Sequence, residues 1–588
     1  MSEIHGDGGP LPPIPDDLLI SQFILDRHHP SAPMWAHKMR PWLIEEASGR
    51  QIGSDELRGR MHGLTNALRI RWNIGMSRCA FEVCIFTHNH VDFPVVLWYV
   101  SRCDNSMVAE FMNANPSYTA EELTYQLQVI KAQLLIAHPS MLQIALDAAR
   151  AAGIPQDRIV LMEPVEGSPY PNVDELVRFG LTQPKQVAQL RLKPGEAKTK
   201  LALLSFSSGT TGLPKAIMIS HYSLISNVIM HAHHINANNE NIPLEERFYR
   251  PGGITYAILP WYHAFGIHFV LFLQLFLGNT IVVAPKFSLQ QMLESIQRYR
   301  ITHLALVPPQ VVLMCKSPVI KDYDLSSVYF LIAGAAPMSA EITEQIVRIL
   351  PNSIIGQGYG LTESATGMSF PAHGQRVGTL GAAGTLLPGV IARVVKPDGT
   401  LAGFDELGEL YIKAPSIAHG YLNNPTATAD TFVDGFLRTG DEVRISARKE
   451  LFVVDRIKEL IKVRGAQVAP SELEGHLLRH AAVRDVCVVP VPDEYSGELP
   501  VAFVALHPDA HARAERDPGA KARAKAELME HVAKHKTRYK WLAGVEFIET
   551  IPKNPSGKLL RRVLREQARD MLAKGTLTVQ TSARRAKL

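Results

Sequence analysis

Short apolar runs alternating with helical patterns recur for several hundred residues of this 588-residue chain, and that rhythm restricts its fold more than any other feature. The runs include Val83-Cys84-Ile85-Phe86, Leu134-Leu135-Ile136-Ala137, Ile159-Val160-Leu161-Met162, Tyr256-Ala257-Ile258-Leu259, His303 to Val307 and Tyr329 to Ala333. Continuous apolar runs of this length read as strands buried on both faces, with helices as the crossovers. The expected class is therefore α/β with largely parallel sheets. Trp42-Leu43-Ile44 adds a strand. Leu57, Met61, Leu64 and Leu68 recur at helical spacing in a helix opening near Ser54. From Gly389 to Lys413 the strands shorten and turns such as Asp398-Gly399 intervene, which predicts a small β-rich subdomain. A chain this long exceeds one core. The expected division is a flexible Gly/Pro-rich arm over 1–20, a large multi-subdomain body over 21–455 and a small mobile α+β lid over 456–588. Thr119-Ala120-Glu121-Glu122 and Ser471-Glu472-Leu473-Glu474 both fit the capping box that opens a helix. The Ala/Lys/Arg-rich stretch from Ala510 to Lys534 reads as an exposed helix or an extended loop.

A formal charge of +4 argues against a nucleic-acid partner, and the late basic residues, interleaved with apolar positions, read as a solvated helix face. Five scattered cysteines without a C-x-x-C pair fit reduced thiols of an intracellular protein. The polar, acidic opening Met1 to Asp7 lacks the features of a secretory signal. Phe265 to Ala284 is the greasiest segment, but Gln274, Gly278, Asn279 and Thr280 interrupt it. It reads as a core helix turning into a strand, with no membrane span. Ala586-Lys587-Leu588 is close to the Ser-Lys-Leu address, predicting a peroxisomal location and an import receptor as partner, with cytosol as fallback. A monomer or weak homodimer is expected.

Five stretches carry the chemistry. Ser205-Phe206-Ser207-Ser208-Gly209-Thr210-Thr211-Gly212-Leu213-Pro214-Lys215 follows the strand-like Leu201 to Leu204 and offers hydroxyls, glycines and an ammonium to a phosphate. Its spacing is not that of a Walker loop, and the following Ala216 to His221 reads as a strand where a Walker loop needs a helix. Gly356-Gln357-Gly358-Tyr359-Gly360-Leu361-Thr362-Glu363-Ser364 sets glycines around one ring beside a hydroxyl and a carboxylate suited to Mg²⁺. Thr439-Gly440-Asp441 places a carboxylate that could hold ribose hydroxyls. Asp455-Arg456-Ile457-Lys458-Glu459 runs on to Lys462-Val463-Arg464-Gly465-Ala466-Gln467-Val468-Ala469-Pro470. Pro555-Ser556-Gly557-Lys558 sets a lysine on a loop before a basic helix. Alone, each has an ordinary reading as a turn or a solvated surface.

In this order and rough spacing, from about Arg40 to Glu566, the stretches resemble the adenylate-forming enzymes: acyl-CoA synthetases, 4-coumarate–CoA ligases, beetle luciferases and peptide-synthetase adenylation domains. The likeness to 4-coumarate–CoA ligase-like enzymes rests on Gly358 to Ser364, Lys462 to Pro470 and Pro555 to Arg562. It implies an ATP-dependent acid–thiol ligase. A carboxylate and Mg·ATP give an acyl-adenylate and pyrophosphate, and CoA then displaces AMP. On that resemblance Ser207, Ser208, Gly209, Thr210, Thr211, Gly212 and Lys215 hold the β- and γ-phosphates. Gly334-Ala335-Ala336 and the Gly358-Tyr359-Gly360 turn sandwich adenine. Thr362 contacts the α-phosphate, Glu363 holds Mg²⁺, and Asp441 and Arg456 bind ribose. Lys558 bridges the acid and the α-phosphate. Lys458 is the hinge about which the lid turns to exchange Lys558 for the CoA-facing Lys462, Arg464, Gly465 and Gln467. Arg464 stands where relatives often carry lysine. His263 belongs to a gate or thioester role beside an acyl pocket that includes Gly334, Gly358, Gly360 and Ala365. His88, His90, His231, His233 and His234 read as structural. The acid is an aromatic, cinnamate-like one or a medium-chain one. The alternatives are a luciferase-like oxygenase, a stand-alone enzyme loading a carrier protein, and a catalytically idle scaffold.

Overall fold

The computed structural model describes residues 3–26, 29–34, 41–73, 83–99, 111–185, 190–207, 214–464, 466–493, 496–553 and 558–580. Among them, seven strands form one sheet in the order Ile354–Gln357, Phe330–Ala333, His303–Leu306, Ile254–Ala257, Thr280–Val283, Pro41–Glu45 and Gln51–Gly53. All neighbours are parallel except the last pair. A second sheet runs Ile159–Leu161, Leu134–Ala137, Val83–Phe86, Phe111–Ala114, Leu201–Ser207 and Lys215–Ser220. It is parallel up to its closing antiparallel hairpin. Ile281, Val282, Leu331 and Leu135 are wholly buried, as double-sided burial requires. The helices Leu289–Tyr299 and Ala340–Ile349 cover one face of the first sheet through Met292, Leu293, Ile296, Ile342 and Ile346.

The greasy segment is a wide π-helix over Phe265–Leu273, continuing as Gln274–Phe276 into the strand Thr280–Val283. No described helix is long and apolar enough to cross a membrane. The small β-rich unit is antiparallel, with Ile391–Val395, Gly408–Lys413, Phe436–Ile445 and Leu451–Arg456 at its centre. Cys84, Cys315 and Cys487 are free thiols, and Cys79 and Cys103 lie outside the described residues.

The first residues depart from the expected flexible arm. Ile4–His5 pairs antiparallel with Ile391–Val395, the Gly6 N–H donates to the Val390 carbonyl at 2.8 Å, and Glu3 meets Arg393 at 2.6 Å. Edge-strand hydrogen bonds and an ion pair hold a segment whose Gly/Pro content masked the buried Ile4.

The lid has its own apolar core, beginning at Ile461. Its sheet orders Ala466–Val468, Ile461–Val463, Gly497–Leu506 and Val483–Asp493, with Gly544–Phe547 parallel beside Gly497–Leu506. Arg456, expected as the first lid residue, instead ends a body strand, registered against Asp441. The Ala510–Lys534 region is two helices, Pro508–Arg516 and Pro518–His535. Thr119 and Glu122 form the expected capping box, whereas Ser471 does not cap. Pro470 takes the first helical position, the Ser471 N–H donates to Asp455 at 3.2 Å, and its hydroxyl donates to the Val454 carbonyl at 3.0 Å. Lid and body also meet through the Arg479–Glu341 ion pair and the Lys316 ammonium on the Val483 carbonyl.

Candidate active site

The carboxyl ends of the parallel strands are where an α/β sheet leaves room for a ligand. Phe330–Ala333 runs there into Gly334-Ala335-Ala336, and Ile354–Gln357 into Gly358-Tyr359-Gly360. Both turns line a cleft of about 3160 Å³ that the lid closes on its far side. Ala335 takes a left-handed conformation, φ 69°. A Cβ on Gly360 would fall 1.8 Å from the Thr366 carbonyl oxygen, so only glycine lets this turn lie flat on the next strand.

Two hydroxyls aim the carboxylates of the cleft. The Tyr359 hydroxyl donates to Asp441 Oδ2 at 2.6 Å, and Arg456 Nε stands 3.5 Å from Oδ1. Burial raises the Asp441 carboxyl pKa, while Arg456, Tyr359 and Lys558 pull it back down. The Tyr421 hydroxyl donates to Glu363 Oε1 at 2.9 Å, and the Lys215 ammonium lies 4.9 Å from the centre of the Tyr421 ring.

Lys558 reaches this group from the lid. The residues flanking 554–557 are joined by a Lys553–Leu559 bridge and by the Leu560 N–H on the Pro552 carbonyl at 3.0 Å, and Lys553 meets Asp485 at 2.6 Å. Burial, then Arg456, pushes the Lys558 ammonium down to about 8, opposed by Glu459, Asp441 and Glu363. Burial, with Lys558 nearby, pushes His263 down to about 4. Its Nδ1 accepts the Phe265 N–H at 3.3 Å, so the neutral ring carries its proton on Nε2.

The Lys558 value sets a pH dependence. In the role that the resemblance implies, the charged form is the one that neutralises phosphate, and it is lost as pH rises through about 8 in the free protein. The first half-reaction is expected to fall on that alkaline limb. Bound nucleotide adds negative charge and moves the limb to higher pH. Single-turnover rates measured across this range check it; a flat profile contradicts the role of the ammonium.

Lys215, Gly334, Ala335, Ala336, Gly358, Tyr359, Gly360, Thr362, Glu363, Asp441, Arg456, Lys458, Lys558 and His263 therefore all line one cleft. Ala365 does not: it is buried in left-handed conformation, closing the short turn Thr362–Ser364. Ser207 ends its strand, while Ser208, Gly209, Thr210, Thr211 and Gly212 lie outside the described residues, as do Gly465 and Ala586-Lys587-Leu588. Lys462 and Gln467, both exposed, pair across a hairpin that also carries the exposed Arg464, away from the cleft. The Arg464 N–H donates to the Ser496 carbonyl at 2.9 Å.

Residues 37–422 match the model of the AMP-binding enzyme family, and residues 472–558 that of the AMP-binding enzyme C-terminal domain. The chain belongs to the AMP-binding enzymes. This AMP-binding enzyme is 33% identical over 569 residues to 4-coumarate–CoA ligase 5 of Oryza sativa subsp. japonica, covering 94% of this chain and 95% of that one. It is 35% identical over 455 residues to acyl-CoA synthetase 7 of Caenorhabditis elegans, covering 77% and 80%. ATP-bound MatB from Rhodopseudomonas palustris superposes with a TM-score of 0.76 at 25% identity, over 94% of this chain and 99% of that one.

Sequence reasoning missed three supports of the cleft. Tyr421 fixes Glu363 from 58 residues away. Tyr125 donates to the Pro214 carbonyl at 3.1 Å, bracing the end of the glycine-rich loop. Arg561, three residues past Lys558, binds Glu459 at 2.9 Å and pairs with Glu474. None has a local signal, because each partner comes from another element.

Proposed function

We infer that this AMP-binding enzyme is an AMP-forming acid–thiol ligase that makes acyl- or aryl-CoA thioesters. The acid's carboxylate attacks the α-phosphorus of ATP, breaking its bond to the bridging oxygen and expelling pyrophosphate. The thiol of CoA, losing its proton, then attacks the acyl carbon and AMP leaves. The observation that carries this reading is a lid lysine, Lys558, seated beside Asp441, Glu363 and His263. A preorganised ammonium there offsets the charge that gathers as carboxylate meets phosphate. Asp441, aimed by Tyr359 and Arg456, fits ribose hydroxyls, and Tyr359 with Gly334-Ala335-Ala336 fits a flat base. Lys215 and Thr362 face the phosphate end of the cleft. Magnesium belongs to the proposal. Glu363, with one oxygen held by Tyr421, presents a carboxylate to the cleft and suits a hard cation that keeps water and phosphate oxygens. Bound there, the ion would draw charge from the phosphates. Lys462, Arg464 and Gln467 are reserved for the second step, in another closure of the lid about Lys458.

The acid is proposed to be aromatic or of medium chain length. Phe265, Phe269, Phe370 and His231 stand ring against ring, with Phe269–Phe370 centroids 5.8 Å apart and His231–Phe370 centroids 5.5 Å apart. Burial pushes His231 down to about 3, so its ring brings no charge to this wall. Pyrophosphate release with a panel of acids tests the proposal. Aromatic and medium-chain acids are expected to turn over, and short dicarboxylic acids to stay at background. A Cβ on Gly367 would lie 2.4 Å from the His231 ring. Gly367→Val is therefore expected to cut kcat/KM for the best acid by about tenfold or more. Turnover confined to dicarboxylic acids contradicts the apolar pocket, and no CoA-dependent AMP release with any acid contradicts the ligase.

A further inference from the structure

Helices Pro470–Leu477 and Pro518–His535 lie against each other in the lid, and each side of their seam carries two histidines four residues apart. His476 and His480 come from the first helix and the turn after it, His531 and His535 from the second. Four-residue spacing within the helix sets His531 and His535 on one face. The His476 and His531 rings stack with centroids 4.4 Å apart and 17° between their planes. His535 is 5.1 Å from His476 and 5.5 Å from His531, and His480 is 5.3 Å from His531. One ring nitrogen from each of His476, His531 and His535 lies within 4.8 Å of the other two. Among the described residues, no other three His, Cys, Asp or Glu side chains bring ligand atoms so close.

Backbone contacts fix the proton positions. His476 Nε2 is 3.1 Å from the His531 carbonyl, His531 Nε2 is 3.3 Å from the His476 carbonyl, and His535 Nδ1 is 2.9 Å from the His531 carbonyl. A carbonyl only accepts, so these nitrogens hold the protons and the opposite nitrogen of each neutral ring holds a lone pair. Histidines that ligate metals are oriented by this same ring-to-carbonyl contact. Lys536, whose charge acts on His476, and Lys540 are both engaged by Glu472, at 2.8 and 2.6 Å.

We propose that His476, His531 and His535 form a binding site for a divalent transition ion of the zinc type. Imidazole suits such ions, and bringing nitrogens now within 4.8 Å of one another to about 2.0–2.1 Å from zinc requires the His476 and His531 rings to turn out of their stack. The exposed side of His535 leaves a fourth position for water, since both nitrogens of His480 are engaged, Nδ1 accepting the Ala482 N–H at 3.3 Å and Nε2 facing Glu527 at 3.1 Å. The ion joins the helix that carries Glu474 to the helix Pro518–His535, stiffening the lid beside the face it turns to the cleft, which His476 and His535 line.

The test uses the full chain without added histidines, stripped of metal by a chelator. Zn²⁺ is titrated against a chromophoric chelator, and Co²⁺ is added separately to read its visible absorption. One ion per chain is expected, together with a tetrahedral cobalt spectrum and a higher melting temperature of the lid. His531→Ala/His535→Ala is expected to weaken binding more than about tenfold and to lose the spectrum. Glu363→Gln, at the separate magnesium position, keeps both. If the double variant does not fold, His535→Gln alone, at an exposed side chain, carries the same expectation. Absence of stoichiometric binding, or equal affinity in the histidine variants, overturns the site.

Discussion

Lys558→Ala is expected to lower acyl-adenylate formation by about 10²–10³-fold, while thioester formation from supplied acyl-adenylate and CoA stays within about twofold. The asymmetry follows from where the lysine sits. Its ammonium shares the cleft with Asp441, Glu363 and His263, whereas the hairpin assigned to the second step, Lys462 to Gln467, lies elsewhere on the lid. Pyrophosphate release reports the first step, and rapid quench with synthetic adenylate reports the second. Lys558→Arg keeps the charge but not the compact shape of an ammonium, and recovers only part of the rate. Equal loss of both half-reactions would mean that Lys558 supports the lid and does not act on the reacting phosphate.

Arg561→Met is expected to destabilise the lid by about 3–5 kcal/mol. Arg561 Nη2 reaches Glu474 Oε2 at 3.0 Å and Nε reaches Glu459 at 2.9 Å. Glu474 is only 6% exposed and also accepts the Val488 N–H at 2.7 Å. Removing the guanidinium leaves a carboxylate in an apolar core without its counter-charge, and the carboxyl then takes up a proton at neutral pH. Urea unfolding followed by a lid-specific probe such as Trp541 separates this transition from that of the body. The double change Arg561→Met/Glu474→Met removes the buried pair and is expected to regain part of the loss, because Glu459 still loses its partner. A single variant within about 1 kcal/mol of the parent contradicts a coupled pair.

The glycine-rich and charged runs were legible because their chemistry demands particular residue types side by side. Gly358-Tyr359-Gly360 and Lys558 line the same cleft. What the sequence hid are partnerships across long separations. Tyr359 and Asp441 are 82 residues apart, and Arg561 and Glu474 are 87 apart. Only the fold brings such pairs together. Local rules misled where a neighbour outbid them. Asp455 and the Val454 carbonyl took the Ser471 groups that would have capped a helix, and the edge of a sheet recruited Ile4–His5 from a segment of disordered composition. The histidine seam of the lid was invisible for the same reason as the ion pairs, since its two halves are 55 residues apart.

The contacts described between lid and body are polar: Arg479 on Glu341, Lys316 on the Val483 carbonyl, and the Ser471 groups on Val454 and Asp455. Parting such contacts trades protein partners for water, so each adds little net free energy to the closed lid. Dissolved electrolyte becomes the natural lever on the joint, because mobile ions shield an exposed pair such as Arg479–Glu341 far more than they disturb the interiors on either side.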